Sequence, residues 1–189
     1  DLIQKFGGKA ILTSKNHATG TDRVFEVFKN TLKNDPNIIV NLQGDMPNIE
    51  PKAISDLINY MKEEKCSIGT LASEIKSISE FEDQNIVKVC VKEKIKPGMF
   101  VKALDFVRTN PQIEHKSYHH VGVYAFTKKA LIQYVGLKRS KLELERKLEQ
   151  LRAMENDLTI HVGYINSSPL SVDTESDFNE VKKIMKKNE

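Results

Sequence analysis

Apolar positions along this chain switch between short β-branched runs and stripes of helical period. Ile38-Ile39-Val40 is a continuous run introduced by the turn pair Asp35-Pro36, and it predicts a buried, parallel strand that stops at Gly44. Downstream, Pro51 stands where a first helical turn accepts proline, and Ile54, Leu57, Ile58 and Met61 follow at i, i+3, i+4 and i+7. Upstream, residues 9–13 read as a short strand, followed by a polar loop through Gly20. A helix over about 22–33 then carries Val24, Phe25, Phe28 and Leu32 on one stripe. Strand, helix, strand, helix with short connections implies right-handed crossovers and a parallel sheet covered on both faces.

The middle of the chain has a different rhythm. Residues 67–75, 86–92, 100–107 and 121–126 all read as strands with short polar connections, which favours mixed or antiparallel pairing, and Gly69 and Gly98 mark bends. A second long helix is expected in the 140s, with Leu144, Leu148 and Leu151 on one face and charged residues on the others. Residues 159–165 form a strand, and a last helix starting near 173 or 174 buries Phe178, Val181 and Met185. The expected fold class is α/β: a Rossmann-like, mixed but mostly parallel sheet flanked by helices, with a strand-rich portion and no linker, as one domain over residues 1–189.

Composition narrows the function classes. A chain of 189 residues with 39% hydrophobic content can bury a full core. The net charge of +3 is spread out except at Lys182, Lys183, Lys186 and Lys187, which read as a solvated helix face and not a nucleic-acid stripe. Cys66 and Cys90 form no metal motif and suggest a reducing compartment. With no apolar run of membrane-spanning length and no signal-peptide pattern, a cytoplasmic enzyme or binding protein fits, with no nucleic-acid or membrane partner. The first residue is Asp1, and residues 2–8 resemble the end of a helix closed by glycine, so the chain is expected to begin in mid-domain.

Candidate chemistry gathers at element ends. In Asn41-Leu42-Gln43-Gly44-Asp45-Met46-Pro47 a carboxylate stands one residue past a strand end, where ligands collect in open α/β sheets. A bare Gly-Asp pair usually makes only a turn; Gln43 and Pro47 shift the balance toward a site. The loop from His17 to Arg23 is dense in hydrogen-bonding groups just where a helix starts. Capping by Thr19 or Thr21 explains part of it and leaves His17, Gly20 and Arg23 over. Asp173 precedes the last helix and on its own reads as an N-cap. If it converges with Asp45, two hard oxygen donors with open positions suit Mg²⁺. His119 and His120 head an apolar strand, so at most one is expected to face a given pocket. Glu149 and Arg152 read as a surface i, i+3 pair. No zinc spacing, nucleophile elbow, Walker lysine or hydrolytic triad assembles.

Taken in order, Phe6-Gly7-Gly8, His17 to Arg23, Asn41 to Pro47, Ala103 to Arg108, His120 to Phe126, Leu148 to Arg152 and Ser171 to Thr174 resemble the CMP-Kdo synthetases of Gram-negative bacteria. These are the 3-deoxy-manno-octulosonate cytidylyltransferases, of the nucleotide-diphospho-sugar transferase type. The resemblance implies that the anomeric hydroxyl of Kdo attacks the α-phosphate of CTP, giving CMP-Kdo and pyrophosphate for lipopolysaccharide synthesis. It also implies Mg²⁺ on Asp45 and Asp173 as the catalytic centre, and Thr19, Gly20, Thr21 and Arg23 around the cytidine. Gln43, Arg108, His120, Glu149 and Gln150 would line the sugar-acid pocket, with the Arg108 guanidinium apt for a carboxylate. A homodimer through the strand-rich portion is implied as well.

Some features depart from that pattern. The family's opening strand and its basic, glycine-bearing triphosphate loop would precede Asp1, so weak or absent activity is expected for these 189 residues alone. Val107 replaces a usual serine, residues 109–117 lack the usual proline-aromatic stretch, and Arg146 stands where glutamate is common. Another sugar nucleotidyltransferase, such as a CMP-sialic acid synthetase, and a non-catalytic binding or dimerisation module are the alternatives.

Overall fold

The computed structural model describes residues 2–31, 35–64, 66–109, 116–166, 168–172 and 174–187. In chain order the elements are α1 (Leu2–Lys5), α2 (Gly20–Thr31), β1 (Ile38–Asn41), α3 (Pro51–Glu63), β2 (Ile68–Ser73), α4 (Ile78–Glu82) and β3 (Lys88–Val91). They continue with β4 (Phe100–Val107), β5 (Lys116–Thr127), α5 (Lys128–Gly136), α6 (Lys141–Arg146), α7 (Leu151–Met154), β6 (Ile160–Tyr164) and α8 (Glu175–Lys187).

The strands form one mixed sheet in the order β1-β5-β2-β6-β4-β3. Its α/β class matches the expectation; its ladders do not, because only β2 and β6 pair in parallel among the described strands. The physical reason lies in β5. The crossover through α3 does leave β1 and β2 pointing the same way, but β5 inserts between them and pairs antiparallel with both. The same long strand pairs with β3 over Lys116 to His119 and with β2 over His119 to Phe126. β4 is shared likewise, first with β6 and then with β3.

Alternation along β5 separates two cores. Tyr124 and Phe126 face a core shared with Ile39, Ile68, Val24, Phe25 and Phe28 of α2, and Ala130, Leu131 and Tyr134 of α5. Val121, Val123 and Ala125 face the other, under Ala53, Leu57 and Met61 of α3. Leu57 and Met61 are almost wholly buried, and each contributes about 1.5–3 kcal/mol of transfer free energy. Gly69 lies inside β2 and makes no bend: a Cβ there would sit 2.6 Å from Leu57 Cδ1, so glycine lets α3 approach the sheet. Gly98, with φ of 78°, does make a turn.

The chain start behaves as read. Gly8 N–H donates to Ile3 O and Gly7 N–H to Gln4 O, each at 3.0 Å, with Gly7 at φ 78°, which is a Schellman closure of α1. Residues 9–13, however, form no strand, and Leu12 is fully exposed: the segment pairs with no described strand. The long helix expected in the 140s is broken into α6 and α7 by Lys147 at φ 55°, which leaves Leu144 half-exposed while Leu148 and Leu151 are buried. In α8 only Val181 of the expected trio is buried; Phe178 and Met185 are exposed. Leu32 lies outside the described residues.

Candidate active site

Where β1 ends, the turn at 44–45 holds Asp45 against the segment that leads into α8. Val172 N–H donates to Asp45 O at 2.9 Å, Ser171 Oγ donates to Asp45 Oδ2 at 3.1 Å, and Leu170 N–H donates to Asn48 Oδ1 at 3.0 Å. Asp45 Oδ1 is buried with no hydrogen-bond partner. A shielded carboxylate oxygen is costly unless something pairs with it, and a hard oxygen donor of this kind suits a divalent cation. Asp173, the other expected ligand, lies outside the described residues. Among those residues no cluster of three or more His, Cys, Asp or Glu side chains could hold a metal.

Asp45 borders a cleft of about 620 Å³ together with Gln43, Glu80, His119, His120 and Ser168. Gln43 Nε2 donates to Asn41 Oδ1 at 3.2 Å, which ties it to the strand end. His120 shares a 3.0 Å contact with Thr70 Oγ1 and packs edge-on against Phe106, with Tyr124 beside it. Burial, with His119 adding to it, pushes the His120 imidazole down to about 3, so the ring is neutral at ordinary pH. His119 and His120 do take opposite faces of β5, yet both border the cleft, contrary to expectation. Val121, paired with Leu71 next to the slip in β2–β5 register between Thr70 and Leu71, also lines the cleft.

A smaller recess adjoins it. Thr21, Tyr124, Tyr134, Glu149 and Gln150 line this space, and Thr21 and Gln150 are buried. A Cβ on Gly20 would lie 3.8 Å from Gln43 Nε2 and 4.0 Å from Glu149 Oε1, so the start of α2 converges with Gln43 and Glu149. Glu149 Oε2 is buried without a partner, while Tyr134 Oη donates to the Glu149 carbonyl at 2.8 Å. Burial first, and the neighbouring Glu149 carboxylate second, push the Tyr124 and Tyr134 hydroxyls well up.

The break between α6 and α7 is what aims Glu149 and Gln150 inward. Arg152 does not form the expected surface pair with Glu149, because its side chain turns into the protein. It is buried instead against Glu143, with Nε to Oε2 at 2.9 Å and Nη2 to Oε1 at 2.7 Å. Arg139 Nε and Ser140 N–H complete the carboxylate at 3.0 and 3.1 Å. Burial alone would raise the Glu143 carboxyl; these donors overcome it and hold it below 4.5. The Arg152 guanidinium also lies 4.7 Å over the Tyr134 ring and 3.7 Å from Asp22.

Other expected residues have local partners. Thr19 caps α2: Asp22 N–H donates to its Oγ1 at 3.3 Å, and that hydroxyl donates to Asp22 Oδ2 at 2.9 Å. Arg23 Nη1 bonds Thr13 Oγ1 and Ser14 O, and His17 pairs with Glu26, so both tie residues 13–17 onto α2. Arg108 Nη1 donates to the carbonyls of Gln84 and Asn85 at 3.2 and 3.0 Å and does not line the cleft.

One alignment has no counterpart in the sequence reading. Glu80 Oε1 lies 2.6 Å from His119 Nδ1, and His119 Nε2 lies 3.4 Å from Ser168 Oγ. A local signal for Glu80 existed in Ser77-Ile78-Ser79-Glu80: Ser77 Oγ accepts from Glu80 N–H at 3.1 Å, and Glu80 Oε2 accepts from Lys76 N–H at 2.8 Å. The row is not a hydrolytic triad. The residue after Ser168 is Pro169, which has no N–H to serve an oxyanion.

The cytidylyltransferase family profile matches residues 1–160. A 3-deoxy-manno-octulosonate cytidylyltransferase of Bartonella henselae is 37% identical over 97% of this chain and 76% of its own length. A solved structure of CMP:2-keto-3-deoxy-manno-octonic acid synthetase complexed with CTP is 34% identical, with a TM-score of 0.84 over 99% of this chain and 76% of that one. An apo UDP-glucose pyrophosphorylase, 12% identical, shares the fold with a TM-score of 0.66 over 96% of this chain and 64% of that one.

Proposed function

The chain belongs to the cytidylyltransferase family, and on that premise we propose that it transfers a cytidylyl group from CTP to 3-deoxy-D-manno-octulosonate (Kdo), releasing pyrophosphate. The observation that carries this reading is the match, over 99% of the chain, to a CMP-Kdo synthetase complexed with CTP. In the reaction the anomeric oxygen of Kdo forms a bond to the α-phosphorus while the bond to the pyrophosphate oxygen breaks in line, and the attacking hydroxyl's proton passes to solvent. Little covalent chemistry falls to the protein, so its work is positioning and charge stabilisation.

Asp45 is the proposed anchor of that site, because its buried Oδ1 has no protein partner. With Asp173 it would hold Mg²⁺, which when bound neutralises the triphosphate and stabilises charge on the transferring phosphoryl group. Thr19, Gly20, Thr21 and Arg23 are assigned to the cytidine side. Gln43, His120, Glu149 and Gln150 are assigned to the sugar acid, supported by the convergence of Gly20, Gln43 and Glu149. A neutral His120 serves as a hydrogen-bonding partner and not as a charge. Arg108 would take the Kdo carboxylate by exchanging two backbone carbonyls for a charged acceptor, which is the stronger bond. A homodimer through the strand-rich portion belongs to the same proposal, with the exposed Met99 and Leu104 offering apolar contact. No helix among the described residues is long and apolar enough to cross a membrane. A cytoplasmic setting is proposed with CTP as donor.

The test is pyrophosphate release by the full-length enzyme with CTP, Mg²⁺ and each candidate sugar acid. Release with Kdo is expected. Release with a sialic acid and none with Kdo overturns the reading. Asp45→Asn should lower turnover by about 10²–10³-fold, the scale of one lost electrostatic contact to the transition state, with the melting curve preserved. Near-normal turnover removes Asp45 from the metal site.

A further inference from the structure

The row Glu80–His119–Ser168 opens on the same cleft as Gln43 and Asp45 but is not used by the assignments above. Its geometry is built from both ends. α4 starts at the Ser77 cap and presents Glu80 with Oε2 held by Lys76 N–H, which leaves Oε1 for His119 Nδ1. Burial alone would raise the Glu80 carboxyl; the Lys76 amide and His119 reverse this and hold it below the ordinary carboxylate value. An ionised carboxylate only accepts, so the proton of this contact sits on Nδ1. The other ring nitrogen, Nε2, faces Ser168 Oγ. His119 and Glu80 side chains are 22% and 19% exposed, so the pair is partly shielded from bulk water.

Two further observations choose the occupant. At the row itself the lining offers the Glu80 carboxylate, and no arginine lines the cleft among the described residues, so this part of it suits a neutral hydroxyl better than a carboxylate. An imidazole Nε2 beside a serine hydroxyl, which both accepts and donates, matches a carbinol. We propose that Ser168 and His119 Nε2, with Glu80 orienting the imidazole, form the subsite that binds the hydroxylated tail of the acceptor sugar acid, at the end away from its carboxylate. This rests on the cytidylyltransferase reading and names which part of the substrate the row selects. His119 and Ser168 are specificity-determining residues; Glu80 is a positioning residue that acts through His119.

The test compares kcat/KM for Kdo with that for a shorter 2-keto-3-deoxy sugar acid that ends two carbinols earlier, in wild type, Ser168→Ala, His119→Ala and Glu80→Gln. Ser168→Ala and His119→Ala should each reduce the preference for Kdo by about tenfold, since a site built to bind a hydroxyl rejects an analogue lacking it. The loss should fall on KM for the sugar acid, with KM for CTP unchanged. Glu80→Gln should move the same ratio in the same direction. Ser168 lies in a surface segment outside helices and strands, so its variant reports on binding even if His119→Ala is poorly folded. If wild type forms CMP-Kdo and these ratios stay put, or KM for CTP rises equally, the subsite assignment is wrong while the function stands. If wild type forms no CMP-Kdo, both fall.

Discussion

Glu143→Gln removes the carboxylate that neutralises Arg152 inside the protein, and the structure sets the scale of the damage. The two side chains are 1% and 3% exposed. Breaking a buried ion pair by changing one partner costs about 3–5 kcal/mol, most of it from the charge left behind. Arg152 keeps Asp22 at 3.7 Å and the Tyr134 ring at 4.7 Å, which together offset roughly 1 kcal/mol. The expected loss is therefore about 2–4 kcal/mol, or a fall in Tm of roughly 5–15 °C for a chain of this size. Urea and thermal melts at neutral pH measure it. The sign of the pH dependence follows from the direction of the shift. Because Glu143 is held below 4.5 in the folded protein, its contribution is present above that pH and is lost as pH falls further. The gap between wild type and variant should close in that acid range. Replacing both partners, as Glu143→Leu with Arg152→Met, should recover most of the loss, because no charge then remains buried. A single variant within about 1 kcal/mol of wild type, or a double variant no better than the single, refutes the reasoning.

Two further outcomes test other parts of the molecule. His120 is pushed from 6.5 to about 3, so the unfolded chain binds the extra proton between those values. The stability it contributes is present above pH 6.5 and lost as pH falls toward 3. His120→Gln should flatten that decline in urea melts taken across the range, and an unaltered slope would falsify the neutral assignment. Gly163→Ala places a Cβ 2.2 Å from the Phe100 ring, which is itself stacked 4.0 Å from Tyr60 and cannot give way. A loss of about 1–3 kcal/mol is expected from this overpacking, with partial recovery in a Phe100→Leu background; no loss in urea would show that the ring moves freely.

Local pattern was a good guide wherever one face of one element settles the matter. The stripe Ile54, Leu57, Ile58, Met61 is α3, the run Ile38-Ile39-Val40 is β1, and the glycine pair after α1 closes it as read. Residues 9–13 have the composition of a strand and no described neighbour to pair with, and a strand without a partner gains nothing from that composition. The Leu144, Leu148, Leu151 stripe misled for a related reason. Its period is genuine, but Lys147 turns left-handed and ends the helix, and Glu143 and Arg152 meet as a buried pair across the break, a contact no local period records.

The candidate site divides along the same line. Asp45, Gln43 and the start of α2 could be placed beforehand because strand ends and helix starts are local features, and their chemistry is carried by residue type. The partners of Asp45 in Ser171 and Val172, the meeting of Gly20 with Gln43 and Glu149, and the row of Glu80, His119 and Ser168 join segments far apart in the chain. Such contacts depend on the insertion of β5 between β1 and β2 and on the break after α6. Periodicity records which face of an element is apolar; it holds no information on which distant element will cover that face, and that choice is made by packing the whole sheet at once.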